Sequence, residues 1–370
     1  MVYLDHAATT PLRKEAFNVM LPYFAEHAAN ANALYAEGRK ARSAIDQARG
    51  QIADAIHAKS SEIYFTGGGS ESDNWALFGV MRALEGKNHI ITTQIEHHAI
   101  LNACAALESL GYDVTYVPVD QWGRVSPQDI EKAIRPETGL VSVMTANNEV
   151  GTIQAIAEIS RIAHAHGVLM HTDAVQAVGH IPIDVAALNV DLLSMAAHKF
   201  YGPKGIGALY IKNGVKITNL VYGGEQERGL RAGTENTPAI VGMGEALALA
   251  CSEMDGAAQQ IVHLRDLLEN EITQRMPEAI VNGDREKRLP GTLHVTFPGA
   301  DTNMLLMRLD MEGIAVSAGS ACAAGARERS HVLEAMHVPS GADVRFSLGT
   351  DNDETQIRQT VDTLYRILNG

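Results

Sequence analysis

"DLLSMAAHKFYGPKGIGALYIK", residues 191–212, places two short apolar runs on either side of the connection "HKFYGPK". A connection between neighbouring parallel strands needs a dozen or more residues, usually forming a helix. This connection is too short for a helix, so one of the two strands is predicted to run antiparallel. Both runs are mostly apolar, which is typical of strands covered on both faces of a sheet.

Five further strand candidates lie upstream of this pair, at residues 62–66, 89–95, 113–119, 140–146 and 168–174. Segments with the spacing of amphipathic helices fit between most of them, such as "SPQDIEKAI" and "AEISRIAHAHG". This alternation predicts an α/β fold in which a mostly parallel, seven-stranded sheet lies between helices.

The pattern changes downstream of about residue 236. A long helical stretch runs to about Met276 and is followed by "GTLHVTF", the helix candidate "DTNMLLMRLDME", "DVRFSLG" and a final helix from about Asp353. We predict a large domain over residues 14–250. A smaller α+β domain is expected to combine residues 1–13 with residues 251–370.

Composition excludes several classes of protein. The chain has 370 residues and a formal net charge of −14, which argues against non-specific binding to nucleic acid or to an acidic membrane surface. No apolar run approaches the roughly 20 residues that span a bilayer. The start, "MVYLDHAATTP", lacks the basic and apolar regions of a signal peptide, so we expect a cytoplasmic protein.

The three cysteines are too few, and odd in number, for a disulfide framework. Cys104 and Cys251 lie in segments with helical spacing, and both are expected to act as small buried hydrophobic residues. Cys322 differs, because "AVSAGSACAAGA" at residues 315–326 surrounds it with side chains too small to pack against a thiol.

Polar residues follow four of the predicted strands. His97 follows residues 89–95, Asn148 follows 140–146, Asp173 and Gln176 lie at and beyond the end of 168–174, and Lys199 follows 191–197. Open parallel sheets bind ligands at the carboxyl ends of their strands, so these side chains are candidates for one site.

The turn "GGGSESDN", residues 67–74, opens a helix after the first of these strands. Exposed N–H groups and the helix dipole would favour a phosphate there, although glycines before a helix are also typical of a tight turn. Ser70 and Asp73 have the form of a capping box. Pyridoxal phosphate needs four features in its site: a lysine for a Schiff base, an acid for the ring nitrogen, a phosphate site and a flat residue over the ring. Lys199, Asp173, Gly69–Ser70 and His97 supply these four.

These segments resemble the cysteine desulfurases of the NifS/IscS type, in the class V group of fold-type I pyridoxal phosphate enzymes. The matching pieces, in family order and nearly from end to end, are "YLDHAATTP", "FTGGGSESDN", "IEHHAIL", "NNEVGTIQ", "HTDAVQAVG", "HKFYGPKGIGALY", "RAGTEN", "SAGSACA" and "RFSLG". The resemblance implies catalytic roles for Lys199 as the Schiff-base lysine, Cys322 as the thiol nucleophile and His97 as the residue stacked on the ring.

The resemblance also implies a set of binding residues. The residues expected to bind the cofactor are Gly69, Ser70, His97, Asn148, Asp173, Gln176, Ala196, Ala197, His198, Lys199 and Thr234. Thr234 would reach across a homodimer interface to the partner's phosphate. Asn148 and Arg345 would hold the substrate carboxylate, for which the guanidinium fork of Arg345 is suited.

The implied reaction converts L-cysteine to L-alanine and leaves a persulfide on Cys322. The persulfide sulfur would pass to an acceptor protein, such as an iron–sulfur scaffold or a thiolation protein. Cys322 is also a candidate transient ligand of an iron–sulfur cluster.

The chain departs from the family pattern at three positions. Ala31 replaces a proline, Tyr35 replaces a histidine, and Ala196 replaces a serine that commonly binds phosphate. Two alternatives stay open at this point. A selenocysteine lyase or another β-lyase would not strictly need Cys322, and a non-catalytic sulfur-carrier scaffold would bind no cofactor.

Overall fold

The computed structural model describes residues 1–319 and 329–369. The chain starts with strand β1 (Val2–Tyr3) and then forms a central sheet. The seven strands of that sheet are β2 (Ile63–Thr66), β3 (His89–Thr93), β4 (Asp113–Val117), β5 (Thr138–Ser142), β6 (Leu169–Asp173), β7 (Leu192–Ala196) and β8 (Gly207–Ile211). Their order across the sheet is β2-β8-β7-β6-β5-β3-β4.

The direction of the strands agrees with the short connection in the sequence. Strands β3 to β7 run parallel to one another, whereas β8 pairs antiparallel with both β7 and β2. The connection between β7 and β8 holds only a 3-10 turn at Ala197–Lys199. The predicted seven-stranded, mostly parallel sheet is therefore confirmed.

Twelve helices flank the sheets within the described part of the chain. They are α1 (Lys14–Met20), α2 (Pro22–Ala25), α3 (Ala36–Ala55), α4 (Gly69–Ala83), α5 (His98–Ser109), α6 (Pro127–Ala133), α7 (Ile156–Ala165), α8 (Val185–Leu188), α9 (Thr237–Arg275), α10 (Thr302–Met311), α11 (His331–Ala335) and α12 (Glu354–Asn369). Among the described helices none is long and apolar enough to cross a membrane.

The central sheet is covered on both faces, as its apolar strands require. Successive residues of a strand point to opposite faces. Leu193 accordingly packs in one core cluster with residues of α3, α7 and α9, and Leu192 packs in the other with residues of α4 and α5. This double burial explains why the strands read as continuous apolar runs rather than alternating ones.

A second sheet and core lie toward the C-terminus. Strands β9 (Ile280–Asn282), β10 (Thr292–Phe297) and β12 (Ala342–Ser347) pair antiparallel in the order β12-β10-β9, and β11 (Ile314–Ala315) pairs parallel with β1. Val2 and Leu4 pack in this smaller core together with the second half of α9. The separate cores support the predicted division into 14–250 and 1–13 with 251–370, which stays a prediction.

Two local expectations have different outcomes. The predicted capping box is wrong, because α4 begins at Gly69 with Gly68 as its N-cap and no side chain caps it. The first N–H of the turn, that of Gly67, instead donates to Glu71 Oε2 at 2.7 Å. Cys104 is buried on α5 as expected, while Cys251 on α9 is only half-buried.

Candidate active site

A cavity of about 240 Å³ lies at the carboxyl ends of the parallel strands. It brings together most of the residues predicted from the sequence: Gly69, Ser70, His97, Asn148, Asp173, Gln176, Ala196, His198, Lys199 and Arg345. Ala197 and Thr234 do not line this cavity, since Ala197 packs in the core and Thr234 is exposed. Cys322 lies outside the described residues.

The Lys199 amine lies against the N-terminal segment of the chain. Its Nζ donates hydrogen bonds to the carbonyl oxygens of Ala7 at 2.6 Å and Ala8 at 2.8 Å. Gln176 Nε2 donates to the same Ala7 oxygen at 3.0 Å. Ala7 and Ala8 therefore line the cavity and hold the amine of Lys199, which lies in the turn after β7.

Asp173 ends β6, the strand beside β7, and lines the same cavity. Its Oδ1 accepts a hydrogen bond from the Val175 N–H at 2.9 Å. Burial raises the pKa of Asp173 above its usual range, and the Lys199 charge opposes this. A carboxylate in this position gains stability from a cationic partner in the cavity.

His97 caps the N-terminus of α5 and lines the cavity with its ring. Its Nδ1 accepts the Ala99 N–H at 3.1 Å, which places the proton of the neutral ring on Nε2. Burial, together with the nearby Lys199 charge, lowers the pKa of His97 to about 4. The ring is therefore neutral at physiological pH and suited to stack on a flat ligand.

The N-terminal turn of α4 also lines the cavity, at Gly69 and Ser70. Its first N–H groups have no intrahelical acceptors, and the helix dipole favours an anion there. A Cβ atom at Gly69 would lie 2.7 Å from Val175 Cγ2, so a side chain at this position would crowd the turn. His198 adds a ring whose Nδ1 hydrogen-bonds Thr9 Oγ1 at 3.2 Å.

These features fit pyridoxal phosphate. The turn at Gly69 and Ser70 suits its phosphate, Asp173 suits a protonated ring nitrogen, and Lys199 suits covalent attachment to an aldehyde. Ala196 lines the cavity without a hydroxyl, so it offers no side-chain hydrogen bond to a phosphate.

Arg345 on β12 is buried and already has partners. Its Nη2 pairs with Asp5 Oδ1 at 2.8 Å, and its Nη1 donates to the carbonyl oxygens of Asn148 at 2.9 Å and Gly319 at 2.7 Å. Its Nε is buried and has no hydrogen-bond partner among residues 1–319 and 329–369. A substrate carboxylate would therefore approach Nε or compete with Asp5.

Several cavity residues were not predicted from the sequence. Those with ionisable side chains are Asp73, His98, Glu149 and His331. Asp73, His98 and Glu149 lie inside the quoted motifs "FTGGGSESDN", "IEHHAIL" and "NNEVGTIQ". Their position in these motifs was the sequence signal that could have indicated a place in the site. Among residues 1–319 and 329–369, no group of three or more His, Cys, Asp or Glu side chains could hold a metal ion. The transient cluster ligation assigned to Cys322 stays a prediction.

Known proteins resemble the chain over nearly its whole length. The family model for aminotransferase class-V matches residues 2–360. The cysteine desulfurase IscS of Dictyoglomus turgidum is 50% identical over 99% of this chain and 94% of that protein. The putative cysteine desulfurase IscS 1 of Bacillus subtilis is 45% identical over 96% of each.

Solved structures show the same similarity. A NifS-like protein superposes with a TM-score of 0.94 at 39% identity, covering 99% of both chains. SspA in complex with cysteine superposes with a TM-score of 0.84, also at 39% identity, covering 95% of this chain and 99% of that one.

Proposed function

Because the chain belongs to the aminotransferase class-V family and is a pyridoxal phosphate-dependent cysteine desulfurase, we propose that Lys199, Asp173 and Cys322 divide its reaction among them. The observation that carries this assignment is the meeting of Lys199 and Asp173, from adjacent strands β7 and β6, in one cavity with the Gly69 turn. When bound, the cofactor supplies an electron-withdrawing ring that stabilises negative charge at the substrate Cα.

The residues of the cavity hold and orient the reactants. Lys199 anchors the cofactor and moves the proton of the substrate Cα. The Asp173 carboxylate would accept a hydrogen bond from the protonated ring nitrogen, the neutral His97 ring would stack on the cofactor, and Gln176 would bind its phenolic oxygen. Arg345, with Asn148, binds the substrate carboxylate.

Cys322 receives the sulfur. Its thiolate attacks the substrate Sγ, a new S–S bond forms, and the Cβ–S bond breaks with its electron pair left on Cβ. Protonation of that carbon gives L-alanine, and the sulfur remains as a persulfide. Incubation with L-cysteine should therefore yield alanine and transferable sulfur in equal amounts. Pyruvate, ammonia and sulfide in place of alanine would favour a β-lyase.

The persulfide sulfur then passes to an acceptor protein, and an iron–sulfur scaffold or a thiolation protein has the required chemistry. The relatives named cysteine desulfurase IscS support this assignment. We also propose a cytoplasmic location. A selenocysteine lyase is the second candidate, and the ratio of turnover with L-cysteine to turnover with L-selenocysteine distinguishes the two.

We propose a homodimer in which each subunit completes the partner's site. Thr234 is exposed and lies outside the cavity of its own chain, as a residue serving another subunit must. The preceding segment is anchored internally, because Arg231 pairs with Glu71 at 2.8 Å. Exposed apolar side chains offer a surface for the partner: Phe17, Leu21, Phe24, Leu34 and Tyr35.

Mixed dimers test this sharing. Thr234→Ala chains combined with Lys199→Ala chains should place both defects in one site and leave the other site intact. Mixing should therefore restore activity well above that of either variant alone. If hybrids form, as shown by affinity tags on the two chains, and activity stays at the level of the parents, the sharing is wrong.

The alanine at position 196 provides a test of the phosphate site. Ala196→Ser adds a hydroxyl beside the Gly69 turn, and a hydrogen bond to a charged group stabilises by about 1.5–3 kcal/mol. We expect the cofactor to be retained about tenfold more tightly, measured by its release during dialysis. Ala197→Ser is the matched control: this side chain packs in the core, so its hydroxyl should lower stability without tightening the cofactor. Equal retention in Ala196→Ser and the wild type would contradict the assignment.

A further inference from the structure

A second carboxyl lies buried beside the cofactor site, and the mechanism above does not use it. Asp73 is on the second turn of α4, only 1% exposed, and lines the same cavity as Asp173. Its Oδ1 is buried and has no hydrogen-bond partner within the described structure. A buried carboxylate oxygen without a donor or a cation is costly, so this atom needs an explanation.

The nearest basic side chain does not neutralise Asp73. His171 on β6 has its Nε2 atom 3.8 Å from Asp73 Oδ1, which is too long for a hydrogen bond. That Nε2 is instead 3.0 Å from Ser194 Oγ, and Nδ1 is 2.8 Å from Ser142 Oγ. Burial lowers the pKa of His171 to about 3, so its ring is neutral at physiological pH.

The other groups around Asp73 add negative charge or none. The charges of Asp173 at the end of β6 and of Glu96 after β3 both raise the pKa of Asp73, in addition to the larger effect of burial. The Ser194 hydroxyl on β7 opposes the shift. The positive charge of Lys199 instead lowers the pKa of Asp173.

Two carboxyl groups that share a buried site cannot both ionise without large cost. Asp173 has an N–H donor and the Lys199 charge to stabilise its anionic form, and the ring nitrogen of the bound cofactor would add a second cation. Asp73 has the Ser194 hydroxyl and a neutral histidine beside it, no cation acts on it, and its Oδ1 has no hydrogen-bond partner within the described structure. The shared proton therefore belongs on Asp73.

We propose that Asp73 is a positioning residue that stays a neutral carboxylic acid beside Asp173, so that the pair presents one negative charge to the ring nitrogen of the cofactor. This inference rests on the proposed role of Asp173. As an acid, Asp73 supports the carboxylate without competing with it for the ring proton. An ionised Asp73 would offer a second acceptor and would leave two repelling charges in the site.

Infrared spectroscopy of the holoenzyme at neutral pH detects the proton on the Asp73 carboxyl group directly. Burial raises the pKa of Glu96 to about 8, so Glu96 also contributes an acid band at neutral pH. The wild type should show the carbonyl stretch of protonated carboxylic acids, and Asp73→Asn should lose the part of that band that belongs to Asp73. Asp46→Asn, at an exposed aspartate on α3, is the matched control and should keep the band. A spectrum without the band in the wild type, or with the band unchanged in Asp73→Asn, overturns the proposal.

Isotopic labelling keeps the test decisive if Asp73→Asn does not fold. Wild-type holoenzyme with 13C in its aspartate carboxyl groups should show the Asp73 part of the acid band at lower frequency. The band of Glu96 should stay where it is, and an acid band of which no part shifts would leave Asp73 without the proton and overturn the proposal. The role of Asp173 toward the ring nitrogen is tested separately. Asp173→Asn should change the visible absorption of the bound cofactor. An unchanged spectrum would refute the role of Asp173 rather than the protonation of Asp73.

The pH dependence of unfolding gives an independent readout. A carboxyl whose pKa is higher in the folded protein than in the unfolded chain stabilises the fold only at low pH. Its contribution disappears as pH rises from about 4, the unfolded value, through the higher folded value. The free energy of unfolding of the wild type should therefore fall between pH 4 and neutral pH, as measured by denaturant unfolding. This fall should be smaller in Asp73→Asn and unchanged in Asp46→Asn. Parallel pH profiles of the wild type and Asp73→Asn would contradict a neutral Asp73.

Discussion

Lys199→Ala is expected to abolish cysteine desulfurase activity and the covalent attachment of pyridoxal phosphate. The variant loses both the amine that anchors the cofactor and the base that takes the substrate Cα proton. Proton transfer by a positioned side chain alone contributes about 100- to 10,000-fold, so the combined loss should exceed this range. Alanine formation from L-cysteine measures the first effect, and borohydride reduction followed by peptide mapping measures the second.

Lys204→Ala provides the matched control. Lys204 lies five residues further along the same connection between β7 and β8, and its side chain is exposed. The Lys204→Ala variant should keep its activity and its borohydride-fixed cofactor on the peptide that contains Lys199. Fixation of the cofactor at Lys204 or Lys212 in the wild type would show that the lysine has been assigned wrongly.

Cys322→Ala should retain the fold, the colour of the bound cofactor and the binding of L-cysteine. Release of alanine and transfer of sulfur should nearly vanish, because the thiolate of Cys322 is the nucleophile that takes the substrate sulfur. Brief exposure of the wild type to L-cysteine without reductant should add one sulfur atom to the Cys322 peptide, as measured by mass spectrometry.

The other two cysteines serve as controls for Cys322. Cys104 is fully buried, and burial raises the pKa of its thiol to about 12, so it is neither accessible nor reactive. Burial also raises the pKa of the half-buried Cys251. Cys104→Ala and Cys251→Ala should keep activity, at a packing cost of about 1 kcal/mol or less for removing a single buried sulfur. Full activity in Cys322→Ala, or added sulfur only on Cys104 or Cys251, would refute the mechanism.

The elements of the central sheet could be predicted because their signals are local. Each strand is a short apolar run, and the runs near Leu192 and Leu209 are separated by too few residues for a crossover helix. The positions of Asp173 and Lys199 at strand ends follow from the same runs. The capping box was predicted wrongly, because the spacing of Ser70 and Asp73 does not reveal that the helix starts one residue before Ser70.

The strands, their alternation with helices, the residues at the strand ends and the family could all be predicted from the sequence alone, because each depends on neighbours along the chain or on quoted motifs. Only the tertiary structure decided which distant groups meet. Lys199 contacts the carbonyl oxygen of Ala7 across 192 positions, and Arg345 contacts Asp5 across 340. Asp73 and Asp173 line one cavity because α4 packs against the central sheet. The spacing of apolar residues along the sequence predicts only the face of a helix or strand on which a side chain lies. The protonation of a buried carboxyl depends on desolvation and on the charges that folding brings around it.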